Sequence, residues 1–256
     1  MLTGIKGKVI VVTGGASGIG KVTALTFARE GAKVAIVTGH SVKAAEETVR
    51  QIKEMGAEAI FIQCDVSRES DVRNMVEKTL ATWGKIDFAF NNAGVGPDGV
   101  TIPFSPLTEL SESDWDKVLD TNLKGVFLCM KHELGQMRKQ GSGVITNTAS
   151  TVAMRLKPNF GAYAPGKAGI IAITKMAALE NKDAGIRVNV VCPGPTRGTG
   201  MFSRMVSSMK SEGGEPEILS VAGRPEDIAN TVLWLCSTEA SFINGNVISV
   251  DGGLDI

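Results

Sequence analysis

The strongest constraint on this chain is an alternation. Seven short apolar runs, most of them rich in β-branched residues, lie at 8–13, 33–38, 59–63, 86–90, 144–149, 186–192 and 246–250, and helical stretches separate them. Short, near-continuous apolar runs suit strands buried on both faces. Parallel neighbours need a crossover of a dozen or more residues, which a helix supplies. The pattern predicts a single α/β domain over 1–256: a Rossmann-like, doubly wound, seven-stranded parallel sheet with helices on both faces. At 256 residues, 43% of them hydrophobic, the chain can fill that core, and no linker-like break interrupts it.

Charge and cysteine placement narrow the function. The formal net charge is zero, which argues against a grip on nucleic acid or an acidic membrane surface. No apolar run approaches ~18 residues, so no membrane span is expected. The start, M-L-T-G-I-K-G-K, lacks the apolar core of a signal peptide. The cysteines, at 64, 129, 192 and 236, have neither metal nor redox spacing. No metal site is expected, and a reducing cytoplasm is the expected compartment.

The first strand runs into G-G-A-S-G-I-G (14–20) and then an amphipathic helix from Lys21. Strand, glycine turn, helix is the setting of a dinucleotide fingerprint, although the spacing here is G-x3-G-x-G. Gly14 permits the turn, Gly18 lets backbone approach a pyrophosphate, and Gly20 lets the helix pack on the strand. Ser17 and Ile19 complete the turn, and the helix N-terminus offers free N–H groups to phosphate. About twenty residues on, an acid would bind the ribose hydroxyls of NAD. Thr38, Gly39, His40 and Ser41 stand there, with no carboxylate to repel a 2′-phosphate and no arginine to clamp one. Ser17, His40 and Lys43 offer weaker phosphate contacts, so NADP(H) is favoured, with NAD(H) as the alternative. Ser41 also reads as a plain helix cap. Asp65, followed by Val66, ends the third strand, placed either for an adenine amino group or to cap a turn. Small residues at Asn92-Ala93-Gly94 would let a flat ring lie close, while the asparagine amides tie strand ends together. The loop 95–109 shows no obvious chemistry.

Chemistry concentrates in Ser150 to Lys167. Ser150 stands at the carboxyl end of the fifth strand, where open α/β sheets place ligands. Tyr163 is the only tyrosine, and Lys167 follows one helical turn later on the same face. An ammonium beside a phenol lowers its pKa from ~10, and such a phenol can exchange a proton with a ketone or alcohol oxygen. The bland alternative is a half-buried tyrosine with a snorkelling lysine. Asn122 lies in T-N-L-K-G, inside a helix expected over 111–140, where Asn and Gly are both unfavourable. A buried Asn122 needs a partner, such as a water leading to Lys167; otherwise it is exposed beside a packing glycine. The only histidines, His40 and His132, lie away from Ser150 in this topology, so no hydrolytic Ser–His pair is evident. Pro193-Gly194-Pro195 ends the sixth strand. Met201, Phe202, Met205 and Met209 then recur at helical spacing, either as a substrate lid over 195–222 or as core. The 168–180 helix is apolar on most sides, which suggests that a partner covers it.

Together, T-G-G-A-S-G-I-G (13–20), Asp65-Val66, N-N-A-G (91–94), N-L-K-G (122–125), Ser150, Y-x-x-x-K (163–167), P-G (193–194) and V-D-G-G (250–253) resemble the short-chain dehydrogenase/reductase family over almost the whole chain. The resemblance implies an NAD(P)-dependent alcohol dehydrogenase or carbonyl reductase acting on a small molecule by hydride transfer. It implies a tetrad in which Ser150 holds the substrate oxygen, Tyr163 passes the proton, Lys167 tunes the phenol and binds the nicotinamide ribose, and Asn122 holds a relay water. Cofactor contacts are implied at Asn92, Ala93, Gly94, Pro193, Gly194 and Thr196. A homotetramer or homodimer packed through the helices near 111–140 and 163–181 is implied as well. The chain departs from the family pattern at Thr38 and Gly39, at Ala164-Pro165-Gly166, and by one extra residue before Thr199. The rival reading is a nucleotide-sensing or scaffolding protein on the same fold; such proteins commonly lose the tyrosine or lysine, and this chain keeps both.

Overall fold

The structure, a computed structural model, describes residues 2–211 and 220–254 of the 256. In chain order, β1 (Val9–Thr13), α1 (Gly18–Arg29), β2 (Lys33–Thr38), α2 (Val42–Glu54), β3 (Ala59–Gln63), α3 (Glu69–Trp83) and β4 (Phe88–Asn91) form the first half. The second half comprises α4 (Glu112–Leu119), α5 (Gly125–Gln140), β5 (Gly143–Thr148), α6 (Tyr163–Asn181), β6 (Ile186–Pro193), α7 (Gly200–Ser211), α8 (Pro225–Cys236) and β7 (Val247–Val250). The sheet order is β3-β2-β1-β4-β5-β6-β7, and every pairing is parallel. The chain starts mid-sheet, winds out to β3, then crosses to β4 and winds the other way. The crevice between β1 and β4 is therefore the topological switch point, where such sheets bind ligands.

The strands read as continuously apolar because both faces are covered. Val11, Ala35, Ala89 and Ile145 point into a core shared with α3, α5 and α6. Their neighbours Ile10, Val12, Val34, Ile36 and Phe90 point the opposite way, against α1, α2 and α8. Phe27 of α1 and Phe90 are fully buried, each contributing about 1.5–3 kcal/mol by its removal from water. No described helix is long and apolar enough to cross a membrane.

Two expectations change. The helix over 111–140 is divided, with a π-helical turn at Asp120–Lys124 between α4 and α5. The widened turn carries Asn122 into the interior, where it is fully buried, and such bulges recur at functional sites. The fourth strand starts at Phe88 rather than Ile86, because the Asp87 carboxylate turns to accept from the backbone N of Val9 at 2.9 Å and from Lys8 and Lys85 at 3.0 Å. Within 195–222, expected either as a lid or as core, α7 is helical, in keeping with the methionine spacing, while 212–219 lies outside the described residues.

Candidate active site

A cleft of about 1310 Å³ opens at the carboxyl ends of β1, β4, β5 and β6. One end is walled by Gly14, Ser17, Gly18 and Ile19, the middle by Asn92, Ala93 and Gly94, and the far end by Ser150, Tyr163, Lys167, Pro193, Gly194 and Thr196. The first α1 helical bond runs from Lys21 N to Ser17 O at 3.1 Å, so the N–H groups of Gly18, Ile19 and Gly20 have no acceptor within the helix. The Ser17 hydroxyl makes no capping bond. Gly20 itself lies beneath the cleft rather than in its wall. A Cβ there would stand 2.2 Å from the Gly14 carbonyl oxygen, so only glycine lets α1 seat against the turn. Thr13 Oγ1 accepts from Asn92 N at 2.9 Å and Ala93 N at 3.0 Å, tying the Asn-Asn-Ala-Gly turn to β1. Thr13 opens the T-G-G-A-S-G-I-G motif in the sequence, but nothing local names the Asn92 and Ala93 backbone as its partners.

At the far end, Ser150 stands two residues past the end of β5 and its Oγ accepts from Val152 N at 3.3 Å. Tyr163 opens α6, and its ring lies 6.3 Å from that of Phe160, which stands 5.5 Å from Phe104. Gly96 presses on the tyrosine; a Cβ at that position would lie 2.7 Å from the ring. Lys167 is buried, donates to Thr148 O at 2.8 Å, and holds its Nζ 5.6 Å from the phenol's ring centre. Burial pushes the Lys167 ammonium down to about 8. Burial also raises the phenol of Tyr163 above its ordinary value, while a hydrogen bond from Ser150 opposes the rise. The expected depression of the phenol by Lys167 is not seen: burial, the largest influence, raises it, and the group that lowers it is Ser150.

Asn122 stands behind this wall rather than in it. Its Nδ2 donates to Val95 O at 2.7 Å and its Oδ1 accepts from Val95 N at 2.8 Å. The partner it needs is thus the backbone of the loop after Gly94. A Cβ on Gly94 would lie 3.0 Å from Asn122 Oδ1 and 3.6 Å from Lys167 Nζ, which brings the three together at one point.

Other expected contacts fall outside the cleft wall. Thr38 is the last residue of β2, Gly39 and His40 follow it, and of the stretch 38–41 only Ser41 reaches the wall. Ser41 occupies the N-cap position of α2 without a side-chain capping bond. Gly39 packs against Asp65, its carbonyl accepting from Gln63 Nε2 at 3.1 Å. Asp65 takes the turn-capping role, accepting from Ser67 N at 3.0 Å and Ser67 Oγ at 2.7 Å. Burial would raise its carboxyl, but those bonds, with Arg68 and His40 nearby, hold it below the ordinary range. Val66 is buried against Gly125. Thr199 caps α7 through Phe202 N at 3.2 Å and lines the cleft opposite Gly18.

The glycine cradle, the free N–H groups of α1 and a cleft running from them to Ser150 and Tyr163 fit a dinucleotide. Comparison with known proteins agrees. The family model described as "Enoyl-(Acyl carrier protein) reductase" matches residues 14–255. An uncharacterized oxidoreductase of Thermotoga maritima is 40% identical over 253 residues, covering 97% of each chain. The 3-oxoacyl-[acyl-carrier-protein] reductase FabG of Staphylococcus epidermidis is 38% identical over 247 residues, 96% of this chain and 98% of that one. Among solved structures, NAD+-bound xylitol dehydrogenase superposes with a TM-score of 0.89 at 33% identity, covering 97% of this chain and 99% of the other. The chain therefore belongs to the short-chain dehydrogenase/reductase family of oxidoreductases.

Proposed function

We propose that this protein interconverts a ketone or aldehyde with the corresponding alcohol, using NAD(P)(H) and Tyr163 as acid and base. The observation that carries the reading is the meeting of Ser150, Tyr163 and Lys167 at one end of a cleft whose other end is a phosphate-ready helix N-terminus. NAD(P)H bound there supplies a hydride to the carbonyl carbon. Ser150 holds the carbonyl oxygen by a hydrogen bond, and Tyr163 donates the phenolic proton to it; in the alcohol-oxidising direction Tyr163 accepts that proton back. Lys167, fixed by Thr148 O, places positive charge beside the phenol and keeps donors for a ribose hydroxyl. Asn122 fixes the Val95 backbone against which the reacting end is built.

NADP(H) is the favoured cofactor, because Thr38, Gly39 and His40 present no carboxylate to a 2′-phosphate and Asp65 is engaged by Ser67. The NAD+ of the xylitol dehydrogenase supports NAD(H) as the alternative. Phe160, Met201, Phe202 and Met205 in the wall favour a substrate with an apolar body. Phe127 of α5 and Met176 and Leu179 of α6 stay 49, 56 and 71% exposed, which supports a homodimer or homotetramer packed through these helices. Oxidation of NADPH and of NADH in the presence of a panel of apolar ketones and aldehydes tests the reading. Turnover with at least one substrate is expected; binding of cofactor without turnover on any of them refutes it in favour of a nucleotide-sensing role.

A further inference from the structure

Asp98 sits in the loop after Gly94 and is only 1% exposed. Its Oδ1 accepts from the backbone N of Val100 at 3.0 Å, Thr101 at 2.6 Å and Ile102 at 3.4 Å. Its Oδ2 accepts from Arg204 Nε of α7 at 2.5 Å. Burial alone would raise this carboxyl; the guanidinium and the three N–H groups hold it below the ordinary range. The same loop touches both sides of the reacting end. At Gly99 a Cβ would meet Ser208 Cβ at 2.5 Å, so backbone abuts α7 one turn beyond Arg204. At Gly96 a Cβ would lie 2.7 Å from the Tyr163 ring and 3.4 Å from Met201 Cε. α7 also packs through a small apolar cluster of Phe202, Met205, Ala222 and Phe104, separate from the two main cores. Apolar packing of that kind is non-directional. The charge-assisted bond from the half-exposed Arg204 to the buried Asp98 carboxylate is directional and fixes orientation.

We propose that the Asp98–Arg204 pair is a latch that seats α7 against the loop carrying Gly96, and so sets the width of the substrate end of the cleft. Arg204 is then a positioning residue acting through Asp98 on the wall that backs Tyr163. The consequence for turnover rests on the carbonyl-reductase reading, whereas the seating of α7 does not.

The test uses the full chain and two readouts. Arg204→Met keeps the aliphatic stem, Arg204→Lys keeps the charge, and Asp98→Asn keeps an oxygen for the three loop N–H groups. Amide hydrogen exchange over 200–211 should accelerate on the order of tenfold in Arg204→Met and in Asp98→Asn, with no further gain in the double variant. Exchange over 163–181 should not change, and Arg204→Lys should restore most of the protection. With a carbonyl substrate, KM should rise on the order of tenfold while the cofactor dissociation constant holds. Unchanged exchange in Arg204→Met, or effects that add in the double variant, would overturn the latch. Faster exchange with an unchanged KM would overturn its control of cleft width. If the parent protein turns over no carbonyl, the proposed function fails while the exchange result still decides the latch. If Asp98→Asn does not fold, Arg204→Met decides alone.

Discussion

Replacing Glu133 by Gln should stabilise the protein above neutral pH. Glu133 lies on α5 with no exposed surface, its Oε2 accepting from Asn91 Nδ2 at 2.9 Å and its Oε1 without a hydrogen-bond partner. Burial pushes the carboxyl from its ordinary 4.5 up to about 7, with Asn91 opposing. The folded state therefore holds this proton more tightly than the unfolded chain. The favourable contribution is complete below about pH 4.5, declines as the pH rises toward 7, and is flat above that. Across that gap, at about 1.4 kcal/mol per pH unit, the loss is about 3 kcal/mol. An amide has the shape of the neutral acid, keeps an oxygen for Asn91, and does not ionise. Glu133→Gln should match the parent near pH 4.5 and exceed it by about 3 kcal/mol at pH 8, raising Tm by about 6–12 °C for a domain of this size. Urea unfolding of both proteins at pH 4.5, 6 and 8 measures the difference and cancels the other titrating groups. A variant that is less stable than the parent at pH 8, or a difference that does not change with pH, would show that the carboxylate is ionised and accommodated in the core.

Two further outcomes follow from the site. Thr38→Asp should shift cofactor preference toward NAD(H) by at least about tenfold in the ratio of kcat/KM values, since a carboxylate there repels a 2′-phosphate; an unchanged ratio would move the selector to another residue. In the reducing direction kcat/KM should fall as pH rises through about 8, where Lys167 loses its charge while the phenol keeps its proton. Lys167→Arg should shift that limb upward, because a guanidinium stays charged, and a parent profile flat to about pH 9 would separate the ammonium from the rate.

The sheet was legible because each strand is short, apolar and followed by a helix of crossover length. Ser150, Tyr163 and Lys167 were legible because spacing along one strand end and one helical turn fixes their relative places. Partnerships across the chain were not. Asn122 could be recognised as anomalous in a helix, but nothing local named Val95 as its partner or the π-helical turn that buries it. The loop 95–109 looked inert because Asp98 gains its meaning from Arg204, 106 residues away. Glu133 reads as an ordinary helix acid until the packing of α5 on β4 and β5 removes it from water. The direction of the Tyr163 shift was missed for the same reason. Helical spacing brings Lys167 close, but burial, which only tertiary structure supplies, is the largest influence on the phenol and raises it.

The central claim is that the Tyr163 phenol supplies the proton to the substrate oxygen. Tyr163→Phe removes one oxygen and leaves the ring against Gly96 and Phe160 in place. Single-turnover reduction by this variant, measured beside its cofactor dissociation constant, tests the claim most directly. The rate should fall about 10²–10⁴-fold with cofactor affinity within about twofold of the parent's. Reduction at the parent's rate would mean that another group delivers the proton, and the assignment of Tyr163 would be wrong.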